Sequence, residues 1–181
     1  MQDKSTLSVK TFDVGPMLNI IYLVWDKKTK EAALVDPAWD LREVLKFIQN
    51  NKLILKSVLL THSHHDHVNS IDLLLTKYDI PIYINKKEAD FWNKKYDNLI
   101  TIHSEDKIYL GNSHISSIHT PGHTPGGICL KTGDTIFTGD TLFAGSIGRT
   151  DFEGGSYEEI ISSIKNKLII KRIHKIYQNK F

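Results

Sequence analysis

The sequence predicts one α/β domain over residues 1–181, in which two β-sheets pack face to face and helices cover their outer faces. Two observations predict this four-layer α/β/β/α sandwich. Short segments rich in β-branched residues alternate with segments of helical periodicity, in the order strands, helices, strands, helices. A chain of 181 residues can also bury roughly 70% of its extended surface, which is enough for a sizeable core.

The chain begins with three strand-like segments. Leu7 to Phe12, Asn19 to Val24 and Ala32 to Val35 are short and rich in β-branched residues. They are separated by Gly15-Pro16 and by a polar turn at residues 26–30. This pattern predicts an antiparallel meander at the start of the fold.

Helices and strands alternate in the next segment. Asp40 has the position of an N-cap, and the apolar residues after it recur at helical spacing as far as Asn50. Val58 to Leu60 then predicts a fully apolar strand. A second helix is predicted from Val68 to about Asp79, and Pro81 to Ile84 predicts a short strand.

From residue 107 onward the pattern returns to strands. Four are predicted, the last two joined by a hairpin turn at Gly133-Asp134: Lys107 to Leu110, His114 to His119, Ile128 to Lys131 and Thr135 to Thr138. Ser156 and Glu159 match a capping box, so we expect the last helix to begin at Ser156.

Composition and charge exclude several classes of function. Hydrophobic residues make up 40% and charged residues 24% of the chain, as in ordinary globular proteins. The six Lys or Arg of residues 165–181 account for the net charge of +2, and no aromatic platform accompanies them, so we expect no nucleic-acid partner. Without a secretion signal or an apolar run of ~20 residues, we expect a cytoplasmic protein with no membrane partner. The lone cysteine, Cys129, is predicted to be a core side chain.

Four of the nine histidines lie between residues 62 and 67, immediately after the apolar strand. Imidazole and carboxylate are the usual ligands of zinc and similar ions, and a bound cation offsets the cost of gathering them. His62 and His64 are two residues apart, so at a strand end they point to the same side and can hold one metal. Asp66 and His67 follow where the chain turns into a helix, so they can face a second metal.

Two further candidate ligands follow predicted strands. His123 lies in a loop rich in proline and glycine at residues 120–127. Asp140 lies at the end of another predicted strand, in Thr138-Gly139-Asp140. A carboxylate has two oxygens, so Asp140 can bridge two cations. The pattern therefore predicts a metal centre of six residues: His62, His64, Asp66, His67, His123 and Asp140.

The motifs Thr-His-x-His-x-Asp-His at 61–67, Pro-Gly-His-Thr at 121–124 and Thr-Gly-Asp at 138–140 resemble those of the metallo-β-lactamase superfamily. Through the segments 139–143 and 145–151 the chain is similar to the glyoxalase II branch, the hydroxyacylglutathione-hydrolase-like proteins. The resemblance implies the α/β/β/α fold and hydrolysis of a small-molecule thioester such as S-lactoylglutathione by a metal-activated hydroxide.

The resemblance also implies roles for individual residues. It places His62, His64 and His123 on a first metal and Asp66 and His67 on a second, with Asp140 as the bridge. Asp66 and Asp140 would also position the attacking hydroxide. The implied cofactor is zinc, as one or two ions, with iron or manganese as alternatives.

Two more residues match family positions near the site. Asp36 ends a predicted strand, and its side chain either orients a histidine or simply forms an Asp-Pro turn. Arg149 lies in the segment Gly148-Arg149-Thr150-Asp151, where it either pairs with Asp151 or contacts the substrate. The sequence leaves these alternatives, and the oligomeric state, open.

The C-terminal sequence departs from the family pattern. The family has a seventh ligand, a histidine in a Gly-His-Gly segment after the last strand, and then a closing helix. Here Lys175 to Tyr177 matches the strand, but residues 178–181 contain no histidine, and His174 lies too early to replace it. We therefore expect a domain that lacks the final ligand loop and helix and has a weaker second metal site.

Two alternatives to thioester hydrolysis remain open. Persulfide dioxygenases resemble this chain in the Gly-Arg-Thr-Asp segment and use one iron held by two histidines and an aspartate. The other alternative is a metal-binding domain with little activity, left by loss of the C-terminal ligand.

Overall fold

The structure is a computed structural model that describes residues 7–17, 19–169, 173 and 175–178. In the first sheet, β1 to β3 form the predicted antiparallel meander, and β3 to β6 run parallel to one another. The strands lie in sequence order across this sheet: β1 (Leu7–Val14), β2 (Asn19–Asp26), β3 (Glu31–Val35), β4 (Ile54–Leu59), β5 (Ile82–Asn85) and β6 (Leu99–Ile102).

The second sheet is antiparallel apart from one parallel pair at its edge. It is built from β7 (Lys107–Leu110), β8 (Ser113–His119), β9 (Ile128–Thr132) and β10 (Thr135–Phe137). The chain next forms a small hairpin of β11 (Leu142–Phe143) and β12 (Ser146–Ile147), and β13 (Lys175–Tyr177) then pairs in parallel with β10. The order across this sheet is β13-β10-β9-β8-β7.

Helices lie on the outer faces of the two sheets. The described helices are α1 (Arg42–Asn50), α2 (His65–Val68), α3 (Ile71–Leu75), α4 (Lys86–Trp92) and α5 (Tyr157–Ser163), and α5 continues into a π-helical turn at Ile164–Leu168. Ser156 caps α5 as predicted, because its Oγ accepts a hydrogen bond from the Glu159 N–H at 3.2 Å. In the part of the chain that the structure describes, no helix is both long and apolar enough to cross a membrane.

Among the described residues, three apolar clusters separate the layers, and the alternation of side chains along β2 explains two of them. Ile21 and Leu23 face the cluster under α1 and α3, whereas Tyr22 and Val24 face the cluster between the two sheets. A third, smaller cluster lies between the second sheet and the α5 segment and includes Cys129. Cys129 is fully buried, as predicted, and burial raises the pKa of its thiol to about 11.

Several predicted boundaries differ from the structure. Leu41, not Asp40, is the N-cap of α1; the Asp40 side chain instead accepts a hydrogen bond from the Arg42 N–H at 2.9 Å. Where the sequence predicted a single helix from residue 68, the structure has two, α2 and α3. They are separated at Asn69 and Ser70, whose side chains make hydrogen bonds outside the helices. Both side chains hydrogen-bond to the backbone of Trp39, which holds the loop after β3 against the break.

Helix α4 and strand β6, at residues 86–92 and 99–102, were not predicted from the sequence. Strand β4 was predicted as three residues, whereas the strand has six and ends at Leu59. The prediction that the whole chain forms one domain stays a prediction.

Candidate metal centre

Three histidines from two loops converge at one end of the sheets. His62 and His64 lie in the loop after β4, and His123 lies in the loop between β8 and β9. The ring centroids are 4.8 Å apart for His62 and His64, 4.9 Å for His62 and His123, and 4.5 Å for His64 and His123. Each ring offers a nitrogen within 4.8 Å of those of the other two. The structure thus brings together the set predicted for a first metal.

The other predicted ligands lie beside this group. Nε2 of the buried His67 is 3.2 Å from Oδ1 of Asp140 and 3.7 Å from Oδ2 of Asp66. The second oxygen of Asp140 is 3.5 Å from Nε2 of His123. Asp140 therefore lies between the two groups of ligands, where the sequence analysis expected a bridge.

Hydrogen bonds fix which nitrogen of each buried imidazole faces the centre. The Asp36 carboxylate accepts hydrogen bonds from His67 Nδ1 at 2.9 Å and from the Thr61 hydroxyl at 2.6 Å. Since Thr61 donates its proton to Asp36, its Oγ1 accepts from His62 Nδ1 at 3.0 Å. His123 Nδ1 donates to the Arg149 carbonyl at 2.7 Å. All three Nδ1 atoms are therefore donors, and each Nε2 is turned toward the centre.

These imidazoles fit a metal site. Nε2 of His62 and Nε2 of His123 are buried and have no hydrogen-bond partner among the described residues. A buried ring nitrogen without a partner is costly, unless a cation binds its lone pair. Donation from Nδ1 to a carboxylate, hydroxyl or carbonyl is also the usual way in which proteins orient a metal-binding histidine.

The pKa shifts of His62, His64 and Asp140 are those that a cation site requires. Burial lowers the pKa of His62 well below its usual value and also lowers that of His64, which favours neutral imidazoles. Burial acts in the same direction on His67, but the carboxylates of Asp140 and Asp36 outweigh it and raise its pKa. For Asp140, burial is outweighed by nearby imidazoles, chiefly His67, which hold its pKa well below the usual range. The site therefore favours a positive charge between its carboxylates.

Asp36 is best described as a group that orients other residues. It belongs to a second cluster with His62 and His67 whose ligand atoms lie within 4.8 Å of one another. However, its two oxygens already accept hydrogen bonds from the Thr61 N–H, the Thr61 hydroxyl and His67. Its φ of 50° lies in the left-handed region, a strained conformation of the kind found at functional sites. The side chain contacts a histidine, so it does more than form a turn.

Two residues outside the motifs support Asp66. The buried Asn19, at the start of β2, donates a hydrogen bond from Nδ2 to Asp66 Oδ2 at 2.8 Å. The Trp39 indole N–H donates in turn to Asn19 Oδ1 at 2.9 Å, which fixes the orientation of the amide. Neither was predicted from the sequence; the available signal was a polar side chain directly before the hydrophobic run from Ile20 to Trp25.

Arg149 has a role through its backbone and one through its side chain. Its carbonyl orients His123. Its guanidinium forms a bidentate ion pair with Asp151, in which Nε donates to Oδ1 at 3.0 Å and Nη2 donates to Oδ2 at 2.7 Å. The preceding Gly148 is required by space, because a Cβ there would lie 1.8 Å from the Asp140 carbonyl oxygen. The pairing that the sequence analysis considered is therefore present.

An open cavity of about 720 Å³ lies over the ligands. His64, Asp66, His123 and Asp140 contribute to its floor. Its walls are mostly apolar, and the described wall residues include Met17, Phe91, Phe143, Phe152, Glu153 and Arg149. The Arg149 guanidinium is paired with Asp151. The ring centroids of Phe152 and His64 are 5.6 Å apart, and both residues line the cavity. An organic molecule that packs against Phe152 would therefore also lie beside a candidate ligand.

Comparison with known proteins agrees with this geometry. Residues 15–177 match the metallo-beta-lactamase superfamily. The chain belongs to this superfamily. The metallo-β-lactamase fold predicted from the sequence is therefore confirmed. His174 and residues 179–181, the segment in which the sequence offers no clear replacement for the seventh ligand, lie outside the described residues.

Relatives within the metallo-β-lactamase superfamily come from more than one branch. The chain is 38% identical over 147 residues to the probable polyketide biosynthesis zinc-dependent hydrolase PksB of Bacillus subtilis, a match that covers 81% of this chain and 65% of PksB. It is 34% identical over 171 residues to the hydroxyacylglutathione hydrolase GloC of Haemophilus influenzae, covering 81% of this chain and 77% of GloC. The chain thus spans less than two thirds of the length of PksB.

Solved structures of the superfamily match nearly the whole chain. The BLEG-1 B3 metallo-beta-lactamase superposes with a TM-score of 0.83 at 28% identity, covering 96% of this chain and 92% of that one. ETHE1 from Myxococcus xanthus superposes with a TM-score of 0.81 at 25% identity, covering 96% and 76% of the two chains.

Proposed function

We propose that this member of the superfamily is a metal-dependent thioester hydrolase of the hydroxyacylglutathione-hydrolase-like type. The observation that carries the proposal is the convergence of His62, His64 and His123 with Asp140 on the floor of an open, mostly apolar cavity. Three imidazoles and a carboxylate are a ligand set that suits zinc. The name of PksB, a probable zinc-dependent hydrolase, supports zinc as the first metal to test, with iron and manganese as alternatives.

The six predicted ligands have distinct roles in this proposal. His62, His64 and His123 would hold one ion, Asp66 and His67 a second, and Asp140 would bridge the two. A bound ion would supply a Lewis acid that polarises a carbonyl and lowers the pKa of water to about 7.

The residues of the chain itself position the reactants. Asp66 and Asp140 accept hydrogen bonds from a water molecule and orient it, while Asn19 holds Asp66 in place. In hydrolysis, the oxygen of water bonds to the acyl carbon, and the C–S bond breaks with its electron pair on sulfur. The products are a carboxylic acid and a thiol. A thiolate leaves readily, so no separate general acid is required.

The cavity and the relatives support a small-molecule thioester as substrate. Apolar walls suit an acyl chain, and the similarity to GloC makes S-lactoylglutathione the first substrate to test. The only cation among the described wall residues, Arg149, is paired with Asp151, so a neutral thioester such as an acyl-N-acetylcysteamine is the second.

The His64→Ala variant tests this proposal directly. Because His64 both contributes a ring nitrogen to the cluster and faces the cavity, we expect turnover to fall at least 100-fold, on the order of the loss of one transition-state contact. The measurement is release of free thiol from each thioester, with and without a chelator.

His103→Ala is the matched control, since His103 is exposed, does not line the cavity and belongs to neither cluster of candidate ligands. The control should keep wild-type turnover. Thiol release by wild-type protein that resists the chelator would contradict the proposal. Stoichiometric zinc binding without turnover of either thioester would instead favour a metal-binding domain with little activity.

Persulfide dioxygenation is a second candidate. The resemblance of residues 148–151 to persulfide dioxygenases and the structural match to ETHE1 support it. In this reaction, dioxygen oxidises the outer sulfur of glutathione persulfide to sulfite, water supplies the third oxygen atom, and glutathione and two protons are released. Oxygen consumption with glutathione persulfide, together with one iron per purified chain, would favour this candidate over hydrolysis.

A further inference from the structure

Glu88, on α4, is a fully buried carboxylate outside all of the motifs that identify the metal centre. Three donors converge on it. Its Oε1 accepts hydrogen bonds from the Ser63 N–H at 2.8 Å and from the Ser63 hydroxyl at 2.6 Å. Its Oε2 accepts one from the Gly126 N–H at 3.0 Å. Both oxygens are thus used, and all three donors are neutral.

The two partners of Glu88 lie in the two loops that carry the histidines. Ser63 stands between His62 and His64, and Gly126 is three residues after His123. The structure thus contains one side chain that is hydrogen-bonded at once to both ligand loops. A carboxylate is costly to bury, so its placement among donors from both ligand loops calls for a reason other than packing.

The contact between α4 and the second loop is close enough to require glycine. A Cβ on Gly126 would lie 2.0 Å from the backbone nitrogen of Glu88 and 2.4 Å from its Cα. The loop closes on itself nearby, because the Thr120 N–H donates to the Gly127 carbonyl at 2.8 Å. A shift of Gly126 relative to α4 would therefore move the loop, and His123 with it.

We propose that Glu88 is a positioning residue of the metal centre, which sets the distance between the His62–His64 pair and His123. This inference rests on the metal centre of the proposed function, and it adds a residue that fixes its geometry. Asp36 acts comparably on the other side of His62, since it accepts from the N–H and the hydroxyl of Thr61. The two carboxylates hold the residues on either side of His62.

Glu88→Gln is the most selective change. A glutamine has the same shape, but its NH₂ group can only donate where the carboxylate accepted. In either orientation of the amide, its NH₂ group lies against one of the two backbone donors, the Ser63 N–H or the Gly126 N–H, and that N–H loses its acceptor. One of the two loops is then released, while the packing of α4 is kept. Asp90→Asn is the matched control, because Asp90 lies on the same helix and is exposed.

The experiment compares wild-type, Glu88→Gln and Asp90→Asn proteins in three measurements. These are the zinc affinity by competition with a chromophoric chelator, the absorption spectrum of the cobalt(II)-loaded protein, and the melting temperature of the metal-free protein. We expect Glu88→Gln to lower zinc affinity about 10- to 100-fold and to change the cobalt spectrum, as for other groups that orient metal ligands. Asp90→Asn should match wild type in zinc affinity and in the cobalt spectrum.

The outcomes separate this inference from the proposed function. Glu88→Gln with the zinc affinity and cobalt spectrum of Asp90→Asn would overturn the inference, whatever its melting temperature. If wild-type protein binds no metal, the proposed metal centre itself fails. Should Glu88→Gln not fold, Ser63→Ala decides, because it removes only the hydroxyl hydrogen bond. A cobalt spectrum unchanged in Ser63→Ala would then overturn the inference, and a shifted one would support it.

Discussion

The Asp140→Asn variant is expected to bind zinc roughly 100-fold more weakly than wild-type protein and to lose thioester turnover with it. A four-ligand zinc site contributes about 10–16 kcal/mol, so one ligand corresponds to about 3 kcal/mol, or roughly two factors of ten in affinity. Asparagine keeps the size of the side chain but removes the charge. The two carboxylate oxygens lie 3.2 Å from Nε2 of His67 and 3.5 Å from Nε2 of His123. The substitution therefore removes a negative charge from both predicted groups of ligands.

Asp134→Asn is the matched control for this prediction. Asp134 is exposed in the turn between β9 and β10, six residues before Asp140. Zinc affinity is measured by competition with a chelator, and turnover by thiol release. An Asp140→Asn protein that binds zinc as tightly as the control would exclude Asp140 from the metal centre.

The Asp36→Ala variant is expected to lower the free energy of unfolding of the metal-free protein by about 3–5 kcal/mol, the usual cost of removing one partner from a buried charged pair. Asp36 is buried and accepts from the Thr61 N–H, the Thr61 hydroxyl and His67. Without it, these donors stay buried with no acceptor. For a chain of this size, we expect the melting temperature to fall by roughly 10 °C.

Asp40→Ala is the control for this second prediction, because Asp40 is four residues away, is exposed and, among the described residues, pairs with Arg42 at the surface. Its removal should change stability far less. Thermal unfolding of both variants, with metal removed by a chelator, is the measurement. Equal melting temperatures for the two variants would show that the Asp36 network contributes little to the fold.

Local patterns were sufficient for most of the fold. The meander of β1 to β3, the Gly133-Asp134 turn and the Ser156 cap depend on neighbouring residues, and each was predicted. Helix α4 was missed because Lys86–Trp92 is short and has several charged residues and no clear apolar periodicity. The break between α2 and α3 was missed because it depends on contacts with Trp39, about 30 residues earlier.

The same distinction applies to the site. The six candidate ligands were found because four stand within one short segment and the others end strands or lie in loops of recognisable composition. Glu88 was missed because, in a charged segment, it looks like a surface residue, and its partners are 25 and 38 positions away. Asn19 acts on Asp66 across 47 positions. Long-range hydrogen bonds of this kind leave little mark on local sequence.

The most direct test of the central claim is a zinc titration of metal-free protein, in which bound metal and thiol release are measured on the same samples. We expect no turnover without metal, and a rise in turnover that follows occupancy of the site formed by His62, His64, His123 and Asp140. Turnover by protein from which the metal has been removed, or turnover that does not change as the site fills, would contradict the claim.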